Sequence, residues 1–211
     1  VLGMHAFGLE ETQDYASAIK VGRRAVELRP DNPWAVHAVA HVYEMTDKPH
    51  EGLKWLAENE AHWGSGVNNF RYHLWWHRAL MLLDQGAYDE VLTLYDENLW
   101  DPSSNEYLDL CNDAALLMRL ELHGVDVALR WQKLADGCHR RKSEGISAFI
   151  DVHLTLILAA AGFSEAKESL VLQSSYNNAA DGRDDNATVS RAVGLPLARG
   201  LVAYKRGEVA S

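Results

Sequence analysis

The stretch RALMLLDQGAYDEVLTLYDENL, residues 78 to 99, decides the fold. Its apolar residues recur every three or four positions, break at Gly86, and then resume. That is a helix, a tight stop and a second helix. Glycine suits the stop because it adopts the left-handed conformation that ends helices. Outward from this stretch the same signal returns. QDYASA starts at 13, DKPHEG at 47, GVDVAL at 124, GFSEA at 162 and GEVAS at 207, with GAYDEV at 86 among them. Successive starts are 34 to 45 residues apart. Two helices per period of that length mark a helical repeat, in which neighbouring pairs bury a shared core.

Strand signals are missing, with no sustained apolar/polar alternation and no Asn-Gly hairpin. The expected fold is therefore all-α: a right-handed solenoid of antiparallel helix pairs, about five of them. The 211 residues read as a single helical-repeat domain, and the open end at AYKRGEVAS suggests part of a longer chain. Local chemistry supports the helix boundaries. Asn32 or Asp31 caps a helix whose first turn holds Pro33, and Pro49 opens the next. SSNE at 103–106 reads as a capping box. Pro196 should start or kink a helix inside AVGLPLARGLVAY. The polar segment 173–188 reads as a loop.

The segments GAYDEV and RAVELRPDNPWAV resemble the tetratricopeptide repeat, a 34-residue helix-turn-helix. Trp75, Gly86, Tyr88 and Tyr95 fall at that repeat's spacing. The longer text HAFGLEETQDYASA … HAVAHVYEM … HLWWHRALMLLDQGAYDEVLTLYD resembles the tetratricopeptide repeat protein 38-like family, from about His5 to Gly207. The periods here run longer than the standard repeat, and Val91 stands where alanine is usual. The resemblance implies a concave groove lined by the first helix of each pair. It brings no activity with it.

Composition narrows the function. The formal charge is −10, from 20 basic and 30 acidic residues. That is the wrong sign for non-specific nucleic-acid binding or a polybasic membrane anchor. LTLILAAAGF is about half the length of a membrane span. Two cysteines without a C-x-x-C give no disulfide framework and suit a reducing, cytoplasmic setting. Phosphate-loop and G-x-S-x-G motifs are absent.

The histidines carry the candidate chemistry. His37/His41 and His73/His77 are each spaced i, i+4, so each pair shares one helix face. Chance gives roughly 0.4 such pairs for ten histidines, so two is a mild excess. By the resemblance, His37, His41 and Glu44 face the groove, as do His73, His77 and Asp84. Trp76 is a further groove candidate. Two rows on adjacent inner helices, about 10 Å apart, bring four imidazoles and two carboxylates to one cavity. Such a set suits zinc or iron. Ala38 replaces the glutamate of His-Glu-x-x-His, so the metalloprotease base is missing. The leading expectation is a cytoplasmic protein whose groove binds a peptide, a protein partner or a small polar ligand without a cofactor. The alternative is a metal-dependent enzyme using both histidine rows. Trp63, Trp75 and the Asp109/Asp113 pair are more often packing and helix-start features than ligand contacts.

Overall fold

The computed structural model describes residues 1–64, 70–104, 106–139, 147–163 and 185–208. Every regular element among them is a helix. The chain divides into two compact units, Val1–Trp100 and Asp101–Ser211.

The first unit holds α1 (Leu2–Glu11), α2 (Tyr15–Leu28), α3 (Pro33–Met45), α4 (Pro49–Trp63), α5 (Phe70–Asp84) and α6 (Tyr88–Leu94). α6 widens into a π turn over Tyr95–Leu99. Helix α3 sits at the centre, packed on α1, α2, α4 and α5. Its sequence explains this: Ala35, Val36, Ala38, Val39, Ala40 and Val42 are at most 1 % exposed, on all sides of the helix. Its start is set as expected. Pro33 occupies the first turn, and the Asn32 side chain accepts a hydrogen bond from the Ala35 amide at 3.3 Å. Gly22 of α2 lets α3 come close, since a Cβ there would lie 2.5 Å from Val39 Cγ2.

The second unit holds α7 (Tyr107–Leu122), α8 (Ala128–His139), α9 (Ala148–Ala160), α10 (Asp185–Val189) and α11 (Leu195–Lys205). A π turn, Ser190–Gly194, joins the last two, and Pro196 lies in the first turn of α11. Its core is built on Leu116, Leu117, Leu120, Trp131, Leu134 and Ile157.

One turn recurs through the sequence. Gln13, Asp47, Gly86, Gly124, Gly162 and Gly207 all have φ between 55° and 79°. Each follows a helix, and each repeats the same two backbone bonds. The left-handed residue donates to the carbonyl three back, and the next residue donates to the carbonyl five back. Gly86→Leu83 and Ala87→Leu82 are one instance, and Asp47→Glu44 and Lys48→Tyr43 another. This is the left-handed helix stop. Its six positions are the six turns that the sequence marks.

Three local expectations differ. The SSNE capping box does not form: Glu106 is the residue before α7, and the Ser104 hydroxyl accepts from the Glu106 amide at 3.2 Å and donates to the Asp109 carboxylate at 2.6 Å. Asp113 does not sit in an exposed helix-start cluster but is 4 % exposed inside the second unit. Of the polar segment 173–188, residues 185–188 belong to helix α10, where Asn186 accepts a hydrogen bond from the Ala148 amide. Residues 173–184 lie outside the described residues.

Candidate metal centre

Helices α3 and α5 each present their histidine pair to the other. His37 lies across from His73, with 3.0 Å between their Nε2 atoms. His41 and His77 meet the same way at 3.1 Å. His77 and His73 close the chain at 3.1 Å, again Nε2 to Nε2. One ligating nitrogen from each of the four residues falls within 4.8 Å of all the others. His37 and His77 are 3 % and 2 % exposed, and His41 and His73 are half-buried. The partners in each cross-helix pair are 36 residues apart, so two i, i+4 pairs meet in register.

Protons alone do not satisfy this arrangement. A neutral imidazole carries one N–H and one lone pair. In the row His41–His77–His73–His37, the three Nε2 contacts can use at most alternating donors and acceptors. His77 Nδ1 lies 2.7 Å from Glu44 Oε2, which marks Nδ1 as its donor and leaves its Nε2 as acceptor. His41 Nε2 must then donate, which turns a bare Nδ1 lone pair toward the Glu10 carboxylate 3.5 Å away. If His73 donates to His37, its single proton leaves the His77 contact poorly satisfied. His37 Nδ1 is buried without a hydrogen-bond partner. A cation eases the conflict at the Nε2 atoms, because all four lone pairs can then point to one charge while Nδ1–H of His77 and His41 face Glu44 and Glu10.

The surroundings keep the rings neutral. Burial holds His37 far below the ordinary imidazole range, aided by the neighbouring His77, His41 and His73. Burial does the same to His77, with His73 and His41 adding to it. His41 is lowered by burial and partly restored by Glu44 and Glu11. Glu10 is raised, first by its own burial and then by the charges of Glu11 and Glu44. Metal ligation needs deprotonated imidazole, so this environment prepares the ligands.

An aromatic wall surrounds the rings. Phe7 of α1 stacks on His37 at 5.4 Å between centroids and meets His41 edge-on at 5.6 Å. Trp34 stacks on Phe70 at 4.3 Å, and Phe70 lies 5.0 Å from the His37 ring. Trp76 stacks on His73 at 5.6 Å with planes only 15° apart. This wall holds the rotamers and lowers the local dielectric.

Of the sequence-derived residues, His37, His41, Glu44, His73, Trp76 and His77 come together. Asp84 does not join them; it is exposed at the C-terminal end of α5. Trp63 and Trp75 are core, 4 % and 5 % exposed, and pack on each other at 4.8 Å. Sequence reasoning missed Phe7, Glu10 and Phe70. Glu10 is 5 % exposed, and its burial depends on α1 packing against α3, which no local pattern announces. No family model matches the chain.

Proposed function

We propose that this chain is a tetratricopeptide-like metalloprotein that binds one divalent transition metal through Nε2 of His37, His41, His73 and His77. The observation that carries the reading is the convergence of four buried or half-buried Nε2 atoms at 3.0–3.1 Å contacts. Glu44 behind His77 is the carboxylate that orients a metal-bound imidazole in such sites. The six identical left-handed stops support a solenoid of helix pairs, and with it the resemblance to the tetratricopeptide repeat protein 38-like family.

Ring nitrogens 3.0–3.1 Å apart are close enough for one ion to reach them all. An ion that accepted a further ligand beside the four imidazoles would bind a small molecule such as water or a substrate oxygen. A metal held this way supplies Lewis-acid polarisation of that ligand. The groove-binding and enzymatic readings then meet in one place: the small polar ligand of the groove binds on the metal. His41 and His73, half-buried, are the side from which it enters.

The described helices include none long and apolar enough to cross a membrane. Both cysteines are buried and neither forms a disulfide, which supports a reducing, cytoplasmic setting.

Elemental analysis of protein purified without a metal-affinity tag tests this. At least one equivalent of a transition metal, bound as isolated or taken up on addition, is expected. His41→Ala and His77→Ala should each remove most of it, and the double variant should add little, because ligands of one ion are coupled. Retention below about 0.1 equivalent, with no uptake of added zinc, copper or iron(II), overturns the reading.

A further inference from the structure

His41 faces two clusters at once. Its Nε2 belongs to the four-histidine set, while its Nδ1 points to Glu10 Oε2 at 3.5 Å. Glu10 and Glu11, at the end of α1, and His41 bring one ligating atom each within 4.8 Å of one another. Two acidic residues beside a histidine are not a site in themselves. Glu10 supplies a separate observation: it is 5 % exposed, and its Oε2 is buried with no hydrogen-bond partner. Native structures rarely leave a carboxylate oxygen buried and unpaired.

The 3.5 Å gap is informative. It is too long for the short charge-assisted hydrogen bond that Glu44 makes to His77. It matches the separation of two ligands on one ion: bonds of ~2.0–2.1 Å at a tetrahedral angle place nitrogen and oxygen ~3.3–3.4 Å apart. An ion there gains two carboxylates, one of them desolvated, beside Glu44, whose charge is felt at both Glu10 and His41.

We propose a second divalent-cation subsite formed by Glu10, Glu11 and His41 Nδ1, so that His41 bridges two metals as an imidazolate. The proposal rests on the four-histidine reading for its first metal. On binding, His41 releases its Nδ1 proton to solvent, and both ring nitrogens then donate lone pairs. The ligand set, two carboxylates and one imidazole nitrogen, suits zinc, manganese or iron(II), and also accepts copper(II). The two ions would differ in kind: the four-histidine ion would have the shared imidazolate as its only anionic ligand, whereas the second would have that ring and two carboxylates.

Stoichiometry separates this proposal from its foundation. Tag-free full chain is titrated with copper(II) and, separately, with zinc, and bound metal is counted after gel filtration. Two equivalents are expected in the wild type and one in the Glu10→Gln, Glu11→Gln double variant. With two copper ions bound, the imidazolate bridge should couple the spins and suppress the ordinary copper resonance signal, which the double variant should recover at full intensity. One equivalent in the wild type, with an uncoupled signal, overturns the second subsite and leaves the four-histidine site standing. No bound metal overturns both. Two equivalents with unchanged stoichiometry in the double variant overturns the assignment to Glu10 and Glu11. Thermal unfolding of the metal-free double variant checks the fold, and the single Glu11→Gln variant, at an exposed residue, gives an independent arm.

Discussion

Consider Glu44→Gln. The exchange keeps the side-chain shape and removes the charge that His77 Nδ1–H meets at 2.7 Å. His77 is the central ring of the set, in contact with both His41 and His73 through Nε2. Its orientation and basicity therefore count for the whole site. Losing an outer carboxylate behind a metal-bound histidine weakens metal affinity by about 10- to 100-fold, or about 1.4–2.7 kcal/mol. Water moderates the effect here, because the Glu44 side chain is 28 % exposed while His77 is 3 % exposed. The expected loss falls in the lower part of that range, roughly 10- to 30-fold. The assay is a competition titration of zinc against a chelator of known affinity, on wild type and variant. In a His77→Ala background the same substitution should have a much smaller effect, limited to the Glu44 charge felt at His41 and Glu10. A change of less than about threefold, or an equal effect in both backgrounds, refutes the claim that Glu44 acts on a metal through His77.

Other outcomes follow from burial and backbone geometry. His37 and His77 are held neutral in the fold while the unfolded chain protonates them below about pH 6.5. The unfolded state then binds more protons, so metal-free stability falls as pH falls through that value, by about 2.7 kcal/mol for the pair between pH 7.5 and 5.5. Urea melts at the two values in an Asp113→Asn background, which removes the opposing titration of Asp113, measure it, and a flat profile there contradicts neutral burial. Asp113 is fully buried, and burial together with Asp109 raises its pKa well above the carboxylate range. The unfolded chain ionises it above about pH 4 while the fold resists, so stability is lost as pH rises. Asp113→Asn should therefore stabilise the protein at pH 7 by about 1 kcal/mol or more, read from a denaturant melt, and should do nothing near pH 3. Gln13 holds a left-handed conformation at φ 65°, so Gln13→Gly should stabilise by roughly 0.5–1 kcal/mol in a thermal melt. Gly22→Ala should cost about 1–3 kcal/mol, because the new methyl meets a stiff β-branched Val39.

The helices and their stops were legible because both are local. Glycine after an apolar run, or an Asn-Pro pair before one, acts within five residues, and the structure places all six turns where the sequence marks them. The histidine rows were legible for a related reason. Spacing of four fixes which rings share a helix face, and adjacent helices of a repeat bring two such faces together. What the sequence did not reveal depends on contacts between distant elements. Glu10 and Phe7 enter the site only because α1 packs on α3. Asp84 was included by running the row of α5 two turns beyond His77, about 10 Å along the axis and past the reach of any ring. Glu44 joins by crossing to His77, not by continuing its own row. The Ser104 hydroxyl both accepts from the Glu106 amide and donates to Asp109, and that second bond is not written in the spacing.

The common 36-residue offset of the two histidine pairs has a consequence for how this chain tolerates insertions and deletions. The stops that end α3 and α5, Asp47 and Gly86, are 39 residues apart, so α5 carries three more residues between its last histidine and its stop than α3 does. That is nearly one helical turn, ~4.5 Å of free travel. The centre is thus indexed to the facing rings and not to the turns. One residue added close to Gly86 leaves the four rings in place, and its cost falls on the buried residues it rotates, such as Leu82 and Leu83. The same residue added between His73 and His77 swings one ring about 100° around the helix and removes it from the centre. Length variation is therefore directional: inside a histidine row it dismantles the centre, whereas beyond the row it spares the rings and is paid for in core packing.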